Sequence, residues 1–285
     1  MGRDSLDTQA IGLDVGLGFV KWLTGAENLH YGFWEGLEVS AANLGAAQTA
    51  YTDRLFALLP DGPLRILDVG GGAGETAKKL LALGHEVEIV VPSPLLAARC
   101  RLNAPGARVH LARFEEAEPE GAFDLCLFSE SFQYIPLEVS LARARALVRP
   151  GGHILIADCF RSPGHIGGGK VRVVGGGHPV AGFRDMVVQL GLETLHDEDI
   201  TAAVAPSIDL EAGLFRVFGH AVTRVDEELS HKRPAARWAL GKLLRTVVGD
   251  RRRHRLMERL NGEGRTSEAF FASNRYLMVK LRTPA

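Results

Sequence analysis

Short apolar runs alternate with helical patterns through the middle of the chain. The runs predict five strands, at residues 64–69, 86–91, 108–112, 123–128 and 153–159. The stretches between them predict helices at 75–83, 94–102 and 137–148. Because strand-helix-strand units form right-handed crossovers, we expect an α/β fold with a Rossmann-like, doubly wound and mostly parallel sheet.

The two flanks of this region are predicted to be helical. Residues 39–59 carry a helical apolar stripe, which predicts an N-terminal cap over 1–62 in front of a core over 63–200. Beyond a helix at 183–190, strands are expected at 193–200 and 275–281. Roughly 70 residues separate these strands, too many for a plain connection. We therefore expect a helical lid over 201–270, inserted before the last core strand in 271–285.

The first predicted strand ends in a glycine-rich turn, Ile-Leu-Asp-Val-Gly-Gly-Gly-Ala-Gly-Glu over residues 66–75. Such a turn lets a ligand approach the backbone, and the following helix offers free N–H groups. Glycines at 70, 72 and 74 do not give the G-x-G-x-x-G spacing of dinucleotide sites, which disfavours NAD. Asp68 would bring a carboxylate to the turn, where a cation suits it better than a pyrophosphate. We expect a nucleotide-type ligand that carries a positive charge.

At these residues the chain resembles the class I S-adenosylmethionine-dependent methyltransferases, whose first motif has this acid and these glycines. The segments FDLCLFSESFQYI (123–135) and VRPGGH (148–153) resemble later family motifs in the same order. NLHYGFWEG (28–36) is similar to a segment of small-molecule methyltransferases of the sterol, tocopherol and natural-product types. The resemblance implies S-adenosylmethionine as cofactor and S-adenosylhomocysteine as product.

The resemblance also implies a set of cofactor-binding residues. The methionine half would lie against Asp68, Gly70, Gly72 and Gly74, with Tyr31 the first choice for its carboxylate. Ser129, after the fourth strand, joins the same set. The ribose-binding acid of the family is replaced by Val91, so Ser93 is the substitute. For adenine, Glu115 is the candidate, and a solvated carboxylate is an equal alternative.

Tyr134, His30 and Glu130 are the candidates for catalysis, with a loop histidine as a further possible base. Tyr134 falls where many relatives have a histidine, and a phenol with an ordinary pKa near 10 is a poor base but can orient an acceptor. His30, Glu130 or a histidine between 165 and 178 could act as base, and the sequence does not rank them. The seven glycines in 164–177 predict a mobile loop beside the pocket mouth.

Charge and composition narrow the functional classes. The 285 residues include 33 Lys+Arg and 34 Asp+Glu, a net charge of −1 that argues against nucleic-acid binding. Three scattered cysteines give no metal-ligand spacing, so we expect no metal site and a reduced, cytoplasmic compartment. We also expect no signal peptide and no membrane span.

The segment 231–265 departs from this neutral balance. It holds 11 Lys+Arg and three acidic residues, about +8 in all, with apolar residues at helical spacing. Peripheral membrane contact, an anionic substrate and a plain solvated lid face all fit this pattern. The sequence does not give the oligomeric state.

Together these observations predict a methyltransferase that acts on an oxygen, nitrogen or carbon of a small, fairly apolar acceptor in secondary metabolism. The reaction would be an in-line displacement that needs alignment and exclusion of water more than a strong base. The alternative is a non-methylating protein of the same fold, a cyclase or partner subunit, which the missing ribose acid and histidine favour. An oxidoreductase is disfavoured by the glycine spacing.

Overall fold

The computed structural model describes residues 8–163, 176–248, 260 and 265–285, and within them one sheet runs through the centre of the chain. Its strands are β1 (Arg65–Val69), β2 (Glu86–Val91), β3 (Arg108–Leu111), β4 (Phe123–Ser129), β5 (Val148–Arg161), β6 (His178–Pro179), β7 (Glu193–Asp199) and β8 (Asn274–Arg282).

Helices precede, connect and follow these strands. They are α1 (Thr8–Thr24), α2 (Leu44–Phe56), α3 (Glu75–Ala82), α4 (Pro94–Asn103), α5 (Leu137–Leu147), α6 (Val180–Gln189), α7 (Thr201–Val204), α8 (Pro206–Lys232), α9 (Pro234–Val248) and α10 (Ser267–Ser273), with 3-10 turns at Ala41–Asn43 and Phe132–Tyr134.

The strand order is β3-β2-β1-β4-β5-β8-β7, and the short β6 pairs with β5. The first five strands are mutually parallel, whereas β8 runs antiparallel to both β5 and β7. The chain moves outward from β1 in one direction and then returns to continue from β4 in the other. A crevice therefore opens beyond the carboxyl ends of β1 and β4, where open α/β sheets bind ligands.

Apolar side chains cover both faces of the sheet. Along β1, Ile66 points into one buried cluster with Tyr51 and Leu80, while Leu67 and Val69 point into the other. This alternation follows from the two-residue period of a strand, and continuous apolar runs are what a sheet buried on both sides requires. The predicted doubly wound, mostly parallel α/β fold is confirmed.

Three local differences separate the prediction from the structure. Helix α1 lies in the predicted N-terminal helical cap, but no individual helix was predicted at residues 8–24. Strand β5 begins at Val148, so the Pro-Gly-Gly turn lies inside the strand beside a register shift against β4. The helix predicted over 39–59 is shorter and divides into a 3-10 turn and α2.

The lid region holds α7 to α10 between β7 and β8. Beyond its first turns, α8 projects away from the core, and most of the residues described from 216 to 241 are exposed. The predicted domain boundaries stay predictions. In the described part of the chain, no helix combines the length and apolar composition that a bilayer crossing needs.

Candidate active site

A cleft of about 560 Å³ opens at the crevice beyond β1 and β4. Its walls come from the turn after β1, the end of β2, the segment after β4 and the chain between α1 and α2. Eight residues predicted from the sequence line it: His30, Asp68, Gly70, Gly72, Ser93, Ser129, Glu130 and Tyr134. Gly74 lies at the start of α3, and the side chains of Tyr31 and Glu115 are not part of this lining.

The turn after β1 requires its glycines. Gly70, Gly72 and Gly74 have φ of 74°, 55° and 88°, in the left-handed region that side chains rarely adopt. A Cβ at Gly70 would also collide with Ser131, and one at Gly74 would lie 2.9 Å from Cys100 Cα. At Gly72 a Cβ would meet, among the residues that the structure describes, only Leu29, 3.5 Å away, and Gly72 lines the cleft.

Asp68 is a buried carboxylate in the wall of the cleft, with 1% of its surface exposed. Its Oδ2 has no hydrogen-bond partner among the described residues. Burial raises the pKa of Asp68 to about 7, because the charged form has lost its water. An unpaired buried carboxylate beside an open backbone turn fits a ligand with a positively charged group. The residues present therefore fit the implied cofactor.

At the end of β2, Val91 stands where the family resemblance would place a ribose-binding acid. Val91 is the last residue of the strand, and Val91, Pro92 and Ser93 all line the cleft. Ser93 caps α4, since its Oγ accepts a hydrogen bond from the Leu96 N–H at 3.4 Å. The hydroxyl proton is not used in this cap and can be donated into the cleft.

Glu130 follows β4 in a strained conformation, with φ of 55° in the left-handed region. Its Oε1 accepts hydrogen bonds from the Tyr31 N–H at 2.7 Å and the Tyr276 hydroxyl at 2.9 Å. Burial and the negative charge of Asp158 raise the pKa of Glu130 to about 8 against these two donors. This carboxyl can hold or release a proton near neutral pH.

A pair of buried tyrosines extends from Glu130. The Tyr276 and Tyr51 hydroxyls lie 2.8 Å apart, and the Tyr51 hydroxyl lies 3.2 Å from Ser129 Oγ. Sequence reasoning treated Tyr51 as part of an apolar stripe and Tyr276 as part of a final strand. The available signal was a tyrosine within each apolar pattern, because a buried tyrosine hydroxyl needs a hydrogen-bond partner.

His30 and Tyr134 occupy opposite extremes of exposure. His30 is buried, stacks on Tyr51 at 4.5 Å and donates its Nδ1 hydrogen to the Tyr31 carbonyl at 2.8 Å. Burial lowers its pKa to about 4, so it is neutral and weakly basic at pH 7. Tyr134 is 79% exposed at the cleft mouth, and partial burial of its hydroxyl raises its pKa further.

Of the histidines that were candidates between 165 and 178, only His178 lies among the described residues. His178 donates from Nε2 to the carbonyls of Phe132 and Ile135, at 3.2 and 2.9 Å. His165 and the glycine-rich stretch 164–175 lie outside the described residues. Residues 249–259 and 261–264 of the basic segment do so as well.

The comparisons with known proteins agree with this geometry. Residues 67–156 match the family model described as Methyltransferase domain. The chain is 33% identical over 108 residues to the ubiquinone biosynthesis O-methyltransferase of Bradyrhizobium diazoefficiens, which covers 35% of this chain and 42% of that protein. It is 32% identical over 116 residues to the biotin biosynthesis bifunctional protein BioCD of Bordetella avium, covering 39% of this chain and 25% of that protein.

Among solved structures, the cyclase SpnF is similar at a TM-score of 0.68 and 17% identity, covering 97% of this chain and 95% of that chain. This likeness shows the fold alone. The chain matches only between a quarter and about half of the length of its curated relatives. Residues 67–156 therefore match a methyltransferase domain, and the fold and the cleft agree with that match.

Proposed function

We propose that this protein transfers a methyl group from S-adenosylmethionine to a small, fairly apolar acceptor. The observation that carries the proposal is Asp68, a buried carboxylate with an unpaired oxygen in the wall of the cleft, directly before a turn open to the backbone. The methyltransferase family match over 67–156 supports it. The similarity to an O-methyltransferase of ubiquinone biosynthesis supports it as well.

In this proposal, each wall of the cleft binds a different part of the cofactor. Asp68 would hold the cationic amino group, the glycine turn would admit the methionine chain, and Ser93 would donate a hydrogen bond to the ribose. When bound, the cofactor supplies a methyl group activated by a sulfonium. The chain's own contribution is then to align an acceptor with that group and exclude water.

Among the described base candidates, Glu130 is the best matched to neutral pH. An efficient base has a pKa near the working pH, and that of Glu130 is raised to about 8. The pKa of His30 is lowered to about 4, which is below the working pH. The pKa of Tyr134 is raised above that of an ordinary phenol, which is far above the working pH. We infer that Glu130 accepts the proton that an acceptor hydroxyl or similar group must lose.

The proposal includes a reducing, cytoplasmic setting, supported by the three buried free thiols of Cys100, Cys126 and Cys159. A place in secondary metabolism stays a prediction.

Calorimetric titration with S-adenosylmethionine and S-adenosylhomocysteine tests the cofactor site. We expect both to bind wild type, and Asp68→Asn to weaken binding at least about tenfold, since a charge-assisted contact contributes about 1.5–3 kcal/mol. Asp185→Asn, which removes an exposed carboxylate on α6, is the control and should bind as wild type does. Wild-type protein that binds neither compound at millimolar concentration would refute the proposal.

A labelled-methyl screen against phenolic, polyketide and lipid acceptors tests transfer itself. Transfer to any acceptor that Glu130→Gln slows by about tenfold or more supports the proposed base. Tight cofactor binding without transfer to any acceptor would instead favour the non-methylating alternative.

A further inference from the structure

The buried tyrosines form a hydrogen-bonded chain that leads to Glu130. The Tyr276 hydroxyl lies 2.9 Å from Glu130 Oε1 and 3.4 Å from the Ala157 carbonyl, and the shorter contact makes Glu130 its main acceptor. That hydroxyl then accepts from Tyr51 at 2.8 Å, and Tyr51 accepts from Ser129 at 3.2 Å. Every proton in the chain points toward Glu130.

The two oxygens of Glu130 are therefore not equivalent. Oε1 accepts both the Tyr31 N–H and the Tyr276 hydroxyl, so it has no room for a proton of its own. A proton on this carboxyl must sit on Oε2. Glu130 lines the cleft, where that proton can be exchanged with a bound molecule.

We propose that Tyr276, supported by Tyr51, is a positioning residue that fixes Glu130 so that Oε2 takes the proton of the methyl acceptor. This inference rests on the proposed function. The acceptor's nucleophilic atom bonds to the methyl carbon, the carbon–sulfur bond breaks with its electron pair passing to sulfur, and the acceptor's proton passes to Oε2.

The rigidity of Tyr276 suits this role. It is fully buried, its backbone N–H donates to Thr201 Oγ1 at 2.8 Å, and its carbonyl accepts from the Ile200 N–H at 2.9 Å. Its ring meets that of Tyr51 edge to face at 6.2 Å. A Tyr276→Phe substitution keeps the ring and this packing and removes one hydroxyl, so its effect reports the hydrogen bond.

The charges around Glu130 set the expected direction of the change. Burial, Asp158 and Glu211 raise its pKa, while the Tyr31 N–H and the Tyr276 hydroxyl lower it. Removing the Tyr276 hydroxyl removes a donor to the ionised form, so the carboxyl should become harder to ionise. The titratable groups that surround it are Tyr31, Tyr51, Tyr134, Asp158, Cys159, Glu211 and Tyr276.

The first test is an NMR titration of the ligand-free protein carrying ¹³C-carboxyl glutamate, with Glu130→Gln used to assign the signal. We expect Glu130 in Tyr276→Phe to titrate about one pH unit higher than in wild type. Tyr51→Phe should shift it less and in the same direction. Ser140→Ala removes a buried hydroxyl that bonds within α5, and it should leave the titration unchanged. An unchanged titration in Tyr276→Phe overturns the inference.

The second test uses turnover of catechol as a phenolic probe. We expect Tyr276→Phe to lower kcat about tenfold at pH 7, to move the acidic limb of the pH–rate profile upward, and to have no further effect in Glu130→Gln. A purely structural role would lower kcat equally in both backgrounds, and that result overturns the inference. If wild type binds no cofactor, the proposed function fails, and the NMR titration still tests the contact between Tyr276 and Glu130. If wild type does not methylate catechol, the NMR titration alone tests the inference.

Discussion

Asp68 lines the ligand cleft, and its burial is unfavourable for the charged form of its carboxyl. Its carboxyl has an ordinary pKa of 3.8 and one raised to about 7 in the folded protein, so the folded state holds the proton more tightly. The stability that this proton contributes is fully present below about pH 4 and is lost as the pH rises through about 7. The ligand-free protein is therefore stabilised least where the carboxylate is most ready to bind a cation.

Replacing this carboxyl should flatten the pH dependence of stability. Between pH 4 and pH 8 we expect the free energy of unfolding of Asp68→Asn to fall by about 3 kcal/mol less than that of wild type. Urea denaturation at both pH values measures this difference. Glu130 and Asp158 also have raised pKa values but remain in both proteins, so they cancel in the comparison. Parallel curves for the two proteins would show that Asp68 is not desolvated.

A substitution at Gly72 would both strain the backbone and narrow the cleft, and comparison with Gly84 separates the two effects. Gly72→Ala places a Cβ in the cleft at a φ of 55°, and Gly84→Ala imposes a similar strain at 87° with nothing within 4 Å. Both should lose about 1 kcal/mol of stability, the usual cost of a left-handed side chain. Only Gly72→Ala should also weaken S-adenosylmethionine binding, by about tenfold or more in calorimetry. Equal affinities in the two variants would contradict the placement of the ligand at this turn.

At the scale of elements, the strands and the glycine turn could be predicted because their signals are local. The apolar runs of β1, β2 and β4 predict their ends to within one residue. Asp68 and the three glycines form one continuous motif, so their proximity needed no knowledge of the fold.

The contacts around Glu130 could not be predicted in the same way. Tyr51 and Tyr276 are 225 positions apart, and only the packing of α2 against β8 brings their hydroxyls together. Helix α1 lies in the predicted N-terminal cap, and its bounds could not be predicted for a different reason. Gly12, Gly16 and Gly18 lower its intrinsic helix propensity. Tertiary packing favours the helix instead, since Leu17 on it is fully buried.

The predicted membrane contact involves the exposed surface of helix α9. Trp238 is 66% exposed and Leu240 44% exposed, beside Lys242 in a segment of strong positive charge. If this surface meets a bilayer, the protein should sediment with anionic phosphatidylglycerol vesicles and not with neutral phosphatidylcholine vesicles, and added salt or Trp238→Ala should release it. Sedimentation with neither vesicle would contradict membrane contact and leave an anionic substrate or a solvated lid face as the explanation of the charge.

At the scale of the whole molecule, the reversal of strand order between β1 and β4 determines where the chemistry lies. Asp68, near the end of β1, and Glu130, after the end of β4, both line the crevice there. The residue proposed to bind the cofactor and the residue proposed to accept the proton therefore share one cleft without any long loop. The sequence could predict this architecture because it depends on the order of elements. It could not identify the acceptor.

A crystal structure of the protein with S-adenosylhomocysteine tests the central claim most directly. We predict that the amino group of the ligand's methionine portion contacts Asp68, that its chain lies over Gly70 to Gly72, and that its ribose reaches Ser93. A ligand bound elsewhere, with Asp68 Oδ2 still unpaired, would contradict the account.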